Sequence, residues 1–248
     1  MRSISAPICT GLASCLAAYR PASATARSGD LQTRVILEDV ALTLAAIVDG
    51  SPSMRVGRKR PLFDAAREAV GAWFGAATSD DRCIGIGGGT VTPRALQRSP
   101  HAVATLLGSN ANESFDASHA LRAAAGALPR GAALLAVGDW YDLHDEHTAL
   151  LAELGARFDC TALVARDPWY DALPLHGMVR LRGAEGGGVR VFIGARERAS
   201  YARAVREREA MLLARFAQAN WRTGVLLEND GAESLGAAFG LPAAEAAR

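Results

Sequence analysis

Four short apolar runs, each closed by an acid, a glycine or a proline, alternate with stretches of helical periodicity, and this alternation leaves few folds open. Val35–Val48 is the first run, broken at Glu38 and Asp39, and reads as two short strands or one long one. Arg82–Gly87, Ala132–Val137 and Phe158–Ala165 follow as short buried strands. Between them, Leu62–Ala77 carries apolar residues at Leu62, Ala65, Ala66, Ala69, Val70, Trp73 and Phe74, a helical spacing, with Pro61 at a favourable opening position. Asp116–Leu128 and Glu146–Ala156 also read as helices. Strands alternating with helices predict an α/β fold, a mostly parallel sheet with helices on both faces. After Pro168 the pattern changes. Met178–Leu181 and Val189–Ile193 flank Gly186–Gly188 as a β-hairpin, an elaboration after residue 175. Ala195–Ala219 is a long helix, Gly224–Leu227 a last strand and Ala232–Phe239 a last helix. His101–Leu107 is a short helical candidate and Ser109–Ser114 a loop. Residues 1–34, rich in Ser, Ala, Thr and Arg, read as an irregular lead-in, and residues 35–242 as one domain.

In parallel sheets of this kind ligands bind beyond the carboxyl ends of the strands. Two acids fall there. Ile47-Val48 runs into Asp49, and hydroxyls follow at every second position, so that Asp49, Ser51 and Ser53 form Asp-x-Ser-x-Ser. Ala132–Val137 runs into Gly138-Asp139. Carboxylates and hydroxyls are hard oxygen ligands of the kind Mg²⁺ prefers. The plainer reading of the same residues is a pair of capped turns, in which Asp and Ser accept backbone N–H groups where strand gives way to loop. Asp142, three residues on, is a substitute for Asp139.

Composition narrows the rest. Lys+Arg 27 against Asp+Glu 26 leave a net charge of +1, so no global field favours nucleic acid or an anionic membrane. The basic stretch Arg55–Arg60 is local and reads as a solvated loop or an anionic-partner contact. Cys9, Cys15, Cys83 and Cys160 make no Cys-x-x-Cys pair, which argues against zinc; Cys83 and Cys160 lie in apolar runs and read as buried thiols in a reducing compartment. No segment reaches the ~20 apolar residues of a membrane span. Leu12–Cys15 resembles a lipoprotein cleavage box, so a lipid anchor through Cys15 is the alternative to a cytoplasmic location. Gly85–Gly89 has the wrong spacing for a dinucleotide loop, with Pro93 where a helix should begin. His144 and His147, among Asp142, Asp145 and Glu146, read as an acidic helix start and secondarily as a metal cluster.

Several motifs together match something known. Asp49–Met54 (Asp-Gly-Ser-Pro-Ser-Met), Gly138–Asp142 (Gly-Asp-Trp-Tyr-Asp), Ser23–Gly29, the Asp167-Pro168…Leu173-Pro174…Gly177 segment and Tyr201 occur in order. They resemble the von Willebrand factor A-like domain and, more closely, the bacterial DUF58 family. The resemblance covers roughly residues 16–240. It implies a metal-ion-dependent adhesion site rather than a hydrolase, with Asp49, Ser51, Ser53 and Asp139 as ligands of Mg²⁺ or Mn²⁺. It further implies action beside a MoxR-type AAA+ ATPase in protein maturation, one branch serving assembly of methanol-dehydrogenase-type enzymes. Such sites usually add a threonine before the central helix. Here Glu113-Ser-Phe-Asp-Ala117 puts Phe115 at that position, and Ser114 or water stands in. The lead-in Ala18–Ser23 is shorter than the family's.

The resulting expectation is a cytoplasmic, non-enzymatic interaction domain that uses its metal to dock an acidic residue of a client protein. The alternatives are a metal-dependent phosphoester hydrolase, in which the cluster activates water, and a metal-free degenerate scaffold.

Overall fold

The computed structural model of the protein describes residues 22–25, 34–37, 41–87, 94–96, 115–182 and 187–241. Its centre is a six-stranded sheet. The strands are β3 (Thr43–Val48), β4 (Arg82–Gly87), β5 (Arg94–Leu96), β6 (Ala133–Gly138), β7 (Asp159–Ala165) and β10 (Arg222–Leu226), in the order β10-β7-β6-β3-β4-β5. All neighbours are parallel except β5, which runs antiparallel to β4 at the edge. Read from that edge, the strands follow the 3-2-1-4-5-6 order of doubly wound sheets. From β3 the chain winds one way to β4. From β6 it winds the other way to β7. The switch point therefore lies between β3 and β6, adjacent in space and paired from Leu44↔Ala133 to Val48↔Val137.

Two apolar layers cover the sheet, and the period-2 geometry of the strands assigns residues to each. Leu44, Ala46 and Val48 of β3 face one layer, with Leu135 and Val137 of β6. Helices α1 (Leu62–Gly75) and α5 (Gly231–Ala238) close it. Ala45, Ile47, Leu134 and Ala136 face the other, under α2 (Ala117–Ala127), α3 (Thr148–Arg157) and α4 (Ala195–Gln218). Trp73 is fully buried and donates from Nε1 to the Ala45 carbonyl at 3.1 Å, which joins α1 to the central strand. Cys83 and Cys160 are buried free thiols, as the apolar runs predict, and burial pushes both upward in pKa, Cys83 to about 11.

Strand β1 (Ala22–Thr25) pairs antiparallel with β2 (Arg34–Leu37). An extended segment thus lies inside the stretch read as an irregular lead-in. Ala-Ser-Ala-Thr is only four residues of small side chains, too weak a pattern to mark a strand, and its partner is the apolar Arg-Val-Ile-Leu segment. Val35–Val48 resolves into two strands, β2 and β3. The predicted hairpin is present as β8 (Gly177–Arg182) and β9 (Gly188–Ile193). The helix expected over Glu146–Ala156 starts as a 3₁₀ turn, Asp145–His147, in which His147 Nδ1 accepts the His144 N–H at 3.0 Å. His101–Leu107, Ser109–Ser114 and Cys9 to Cys15 lie outside the described residues. No helix among the described residues is long and apolar enough to cross a membrane.

The α1–α5 contact has almost no slack. A Cβ on Gly231 would stand 1.8 Å from the Ala65 carbonyl oxygen and 3.0 Å from the Ala69 nitrogen. Backbone cannot give way as a side chain does, so overpacking costs the usual penalty or more. Gly231→Ala is expected to lower unfolding stability by about 1–3 kcal/mol in urea titration; an unchanged midpoint would show that the two helices have room to part.

Candidate functional site

The strand register builds the site. Because Val48 pairs with Val137, Asp49 stands beside Gly138, and the Asp49 N–H extends the ladder to the Val137 carbonyl at 2.9 Å. The side chain is 1 % exposed. Its Oδ1 accepts the Ser51 N–H at 2.8 Å and its Oδ2 the Asp139 N–H at 3.3 Å. Ser51 Oγ and Ser53 Oγ lie 2.8 Å apart, sharing a hydrogen bond. Contacts therefore link all four expected residues, Asp49, Ser51, Ser53 and Asp139, at the switch point.

Both acids also fill the capping role that strand-end residues favour. Asp49 Oδ1 bonds the N–H two residues on, and Asp139 Oδ1 does the same for Tyr141 at 3.0 Å. Each oxygen has a second lone pair, so a capped turn and a ligand set are compatible. Close approach depends on Gly138: a Cβ there would meet Asp49 Cβ at 2.5 Å and Oδ2 at 3.0 Å.

Trp140 sets the exit of the second loop. It has φ 54, the left-handed region, at a cost of about 1–3 kcal/mol for a non-glycine residue. Its fully buried ring packs edge-on to Phe115 and Phe216, with centroids 5.7 and 5.4 Å away. With the ring sunk in the core, Asp139 and Tyr141 turn outward on either side. Tyr141 is 72 % exposed, and the Arg208 guanidinium of α4 stacks over it at 4.3 Å while donating to the Trp140 carbonyl at 3.1 Å.

The remaining candidates are placed elsewhere or differently. Asp142 Oδ2 accepts the Ala117 N–H at 2.7 Å and so anchors the first turn of α2. Ser114 lies outside the described residues, and Phe115 packs on Trp140. Arg55–Arg60 is partly structural: Arg60 is bound by Glu68 and the Glu228 carbonyl, and Glu228 Oε2 accepts the Arg58 N–H at 2.7 Å. After Gly85 the chain returns as antiparallel β5, with Gly85 opposite Arg94, which excludes a dinucleotide loop leading into a helix. Among the described residues no three His, Cys, Asp or Glu side chains group as a metal site; two of the four residues in the switch-point cluster are serines. Gly138 and Trp140 lie inside the Gly138–Asp142 motif, which assigns them no role, and Arg208 lies outside every motif. Gly138 had a signal in its place before Asp139. Arg208 had none, being one arginine among several on α4.

Taken together, the molecule is a doubly wound α/β protein with an oxygen-rich cluster at its switch point. Residues 23–211 match the family model described as protein of unknown function DUF58, and the chain belongs to that family. No curated protein matches it.

Burial, then the neighbouring Asp139 charge, pushes the Asp49 carboxyl up from 3.8 to about 7, against the Ser51 hydrogen bonds that favour its charged form. The linkage follows from that direction. Unfolded, the acid ionises near 3.8; folded, it keeps its proton to about 7. The folded state therefore binds the extra proton, and the contribution to stability falls as pH rises through this window, then levels. In metal-free buffer the wild type should lose stability relative to Asp49→Ala between about pH 4 and pH 7, measured by urea midpoints. Parallel pH profiles for the two proteins would refute the buried-acid assignment.

Proposed function

We propose that the protein is a non-enzymatic interaction domain whose switch-point cluster binds Mg²⁺ or Mn²⁺ and docks an acidic residue of a partner. The carrying observation is the 2.8 Å separation of Ser51 Oγ and Ser53 Oγ. Neighbouring ligands at about 2.0–2.1 Å from an octahedral Mg²⁺ stand about 2.8–3.0 Å apart, so the two hydroxyls fit adjacent positions. The donor set fits as well: oxygen only, with two carboxylates to balance a divalent charge. Asp49, Ser51, Ser53 and Asp139 would hold the ion. Mg²⁺ binds through few protein ligands and keeps open positions for water or an incoming carboxylate. Bound, it supplies a positive charge that a partner's Asp or Glu can complete.

The chain's own residues prepare that contact. Gly138 lets the two strand ends approach, Trp140 turns Asp139 outward, and Asp49 is held by two N–H groups before any ion arrives. The wider role proposed rests on the resemblance alone: an adaptor in the cytoplasm for a MoxR-type AAA+ ATPase, with the acidic ligand coming from a client under maturation or assembly. Methanol-dehydrogenase-type enzymes are candidate clients on the same resemblance. The von Willebrand factor A-like assignment rests on the strand order and on the Asp-x-Ser-x-Ser loop at its switch point.

Titration calorimetry tests the site directly. The wild type should bind one Mg²⁺ or Mn²⁺, and Asp49→Ala should weaken it at least about 100-fold, since losing even an outer-shell partner costs 10–100-fold. Gly138→Ala, which forces Asp49 aside, should weaken binding about 10–100-fold. Equal heats for wild type and Asp49→Ala, or none for either, would remove the metal reading in favour of a metal-free scaffold. Phosphatase turnover with either ion that Asp49→Asn abolishes would replace it with hydrolysis.

A further inference from the structure

A cavity of about 410 Å³ opens beside the cluster, and Ser53 and Asp139 line its near end. That volume lies within the range of preformed ligand sites. Its long wall is one face of α4, where Tyr201, Ala204, Val205, Arg208 and Leu212 recur at spacings of three and four. A helical stripe of this kind normally faces a core. On α4 only its far end does: Glu209, Leu212 and Phe216 are buried, whereas Ala204 is exposed and Tyr201, Val205 and Arg208 are half-buried. The facing wall is Val164, Ala165, Pro168 and Trp169, at and beyond the end of β7.

Away from the cluster, the polar groups at the cavity are already engaged. The Tyr201 hydroxyl donates to Asp167 Oδ2 at 2.7 Å, and Arg166 makes two bonds of 2.9 Å to Glu209. What remains for a ligand is apolar and aromatic wall. The rim differs: the Arg208 guanidinium donates to the backbone carbonyl of Asp139 at 3.4 Å and stacks on exposed Tyr141. Rim charge and cavity thus ask for two chemistries side by side, a carboxylate at the mouth and a large apolar group within.

We infer that this cavity receives the large apolar side chain adjacent to the acidic ligand, so that the protein recognises a segment pairing an Asp or Glu with a bulky apolar residue. This rests on the metal-docking reading and names the partner's chemistry. The sharing of Ser53 and Asp139 makes the cavity continuous with the cluster, and consecutive residues of a bound chain lie 3.8 Å apart, so one short segment reaches both. Charge complementarity selects an anionic segment, because Arg208 and a bound cation both attract one. The apolar wall selects among anionic segments.

The test is an NMR titration of the full chain in Mg²⁺ with two blocked tetrapeptides, Gly-Asp-Phe-Gly and Gly-Asp-Gly-Gly. The phenylalanine peptide should bind at least about tenfold more tightly, the factor expected from burying one large side chain. It should also shift the Ala165 and Val205 amides. Ala204→Trp, filling the cavity from an exposed helix position, should bring the two peptides to equal affinity while Mg²⁺ affinity stays unchanged. Equal affinities on the wild type, or no shift at those amides, overturn the inference without need of the variant. Failure of the metal reading looks different: a phenylalanine preference that persists in EDTA keeps the cavity assignment and removes the ion.

Discussion

Everything at the switch point hangs on one carboxylate. Asp49 accepts an N–H from its own loop, at Ser51, and another from Asp139, ninety residues along the chain. It therefore ties the end of β3 to the end of β6 at the one place where the two halves of the sheet diverge. Neither loop has an independent reason to stop there. The parallel register brings Val48 opposite Val137, and the next residue on each strand must be an acid and a glycine for the contact to close. Exchange of either residue would leave the strands paired and the loops unjoined.

Strain is stored one residue beyond that contact. Trp140 lies in the left-handed region and, among the described residues, its Nε1 has no hydrogen-bond partner. An unsatisfied buried donor costs about 1–3 kcal/mol, and the backbone conformation costs a similar amount. The offset is a large ring inserted between Phe115 and Phe216, in a layer formed by α2 and α4. Core packing thus fixes the direction of a surface loop: one side chain goes in so that its neighbours, Asp139 and Tyr141, face out. Arg208 then braces the loop from α4 by bonding the Trp140 carbonyl.

How much of this was legible in the sequence follows from where the information is local. Strand runs such as Ala132–Val137 and the helical stripe of Leu62–Phe74 carry their own periodicity, and they appear within a residue or two of the expected bounds. The Asp-x-Ser-x-Ser loop was legible because its residues lie at every second position of one short segment. Joining it to Asp139 was legible only as a consequence of parallel topology. The pairing of Ala22–Thr25 was not, since its small and polar residues take an extended form only against β2. Nor was the role of Asp142, whose spacing suits a ligand but whose carboxylate meets the N-terminus of α2, a contact set by tertiary packing. The cavity wall was hidden for the opposite reason. Tyr201, Val205 and Leu212 have the period of a core stripe, and only the tertiary structure shows that they line a cavity together with Asp167–Trp169.

Asp49 also poses the energetic problem that gives the site its direction. A buried carboxylate beside a second carboxylate disfavours its own charge, hence its upward shift to about 7. Two N–H donors reduce that penalty but add no net positive charge. Where the protein is stable at neutral pH, the penalty is met by the rest of the fold or by a cation. The cation proposed for the cluster would meet it most fully, because it would offset desolvation and repulsion at once, and the paired hydroxyls of Ser51 and Ser53 add no further charge to balance. The cost of burying Asp49 and the divalent-ion affinity proposed for the cluster would then be two expressions of one electrostatic imbalance.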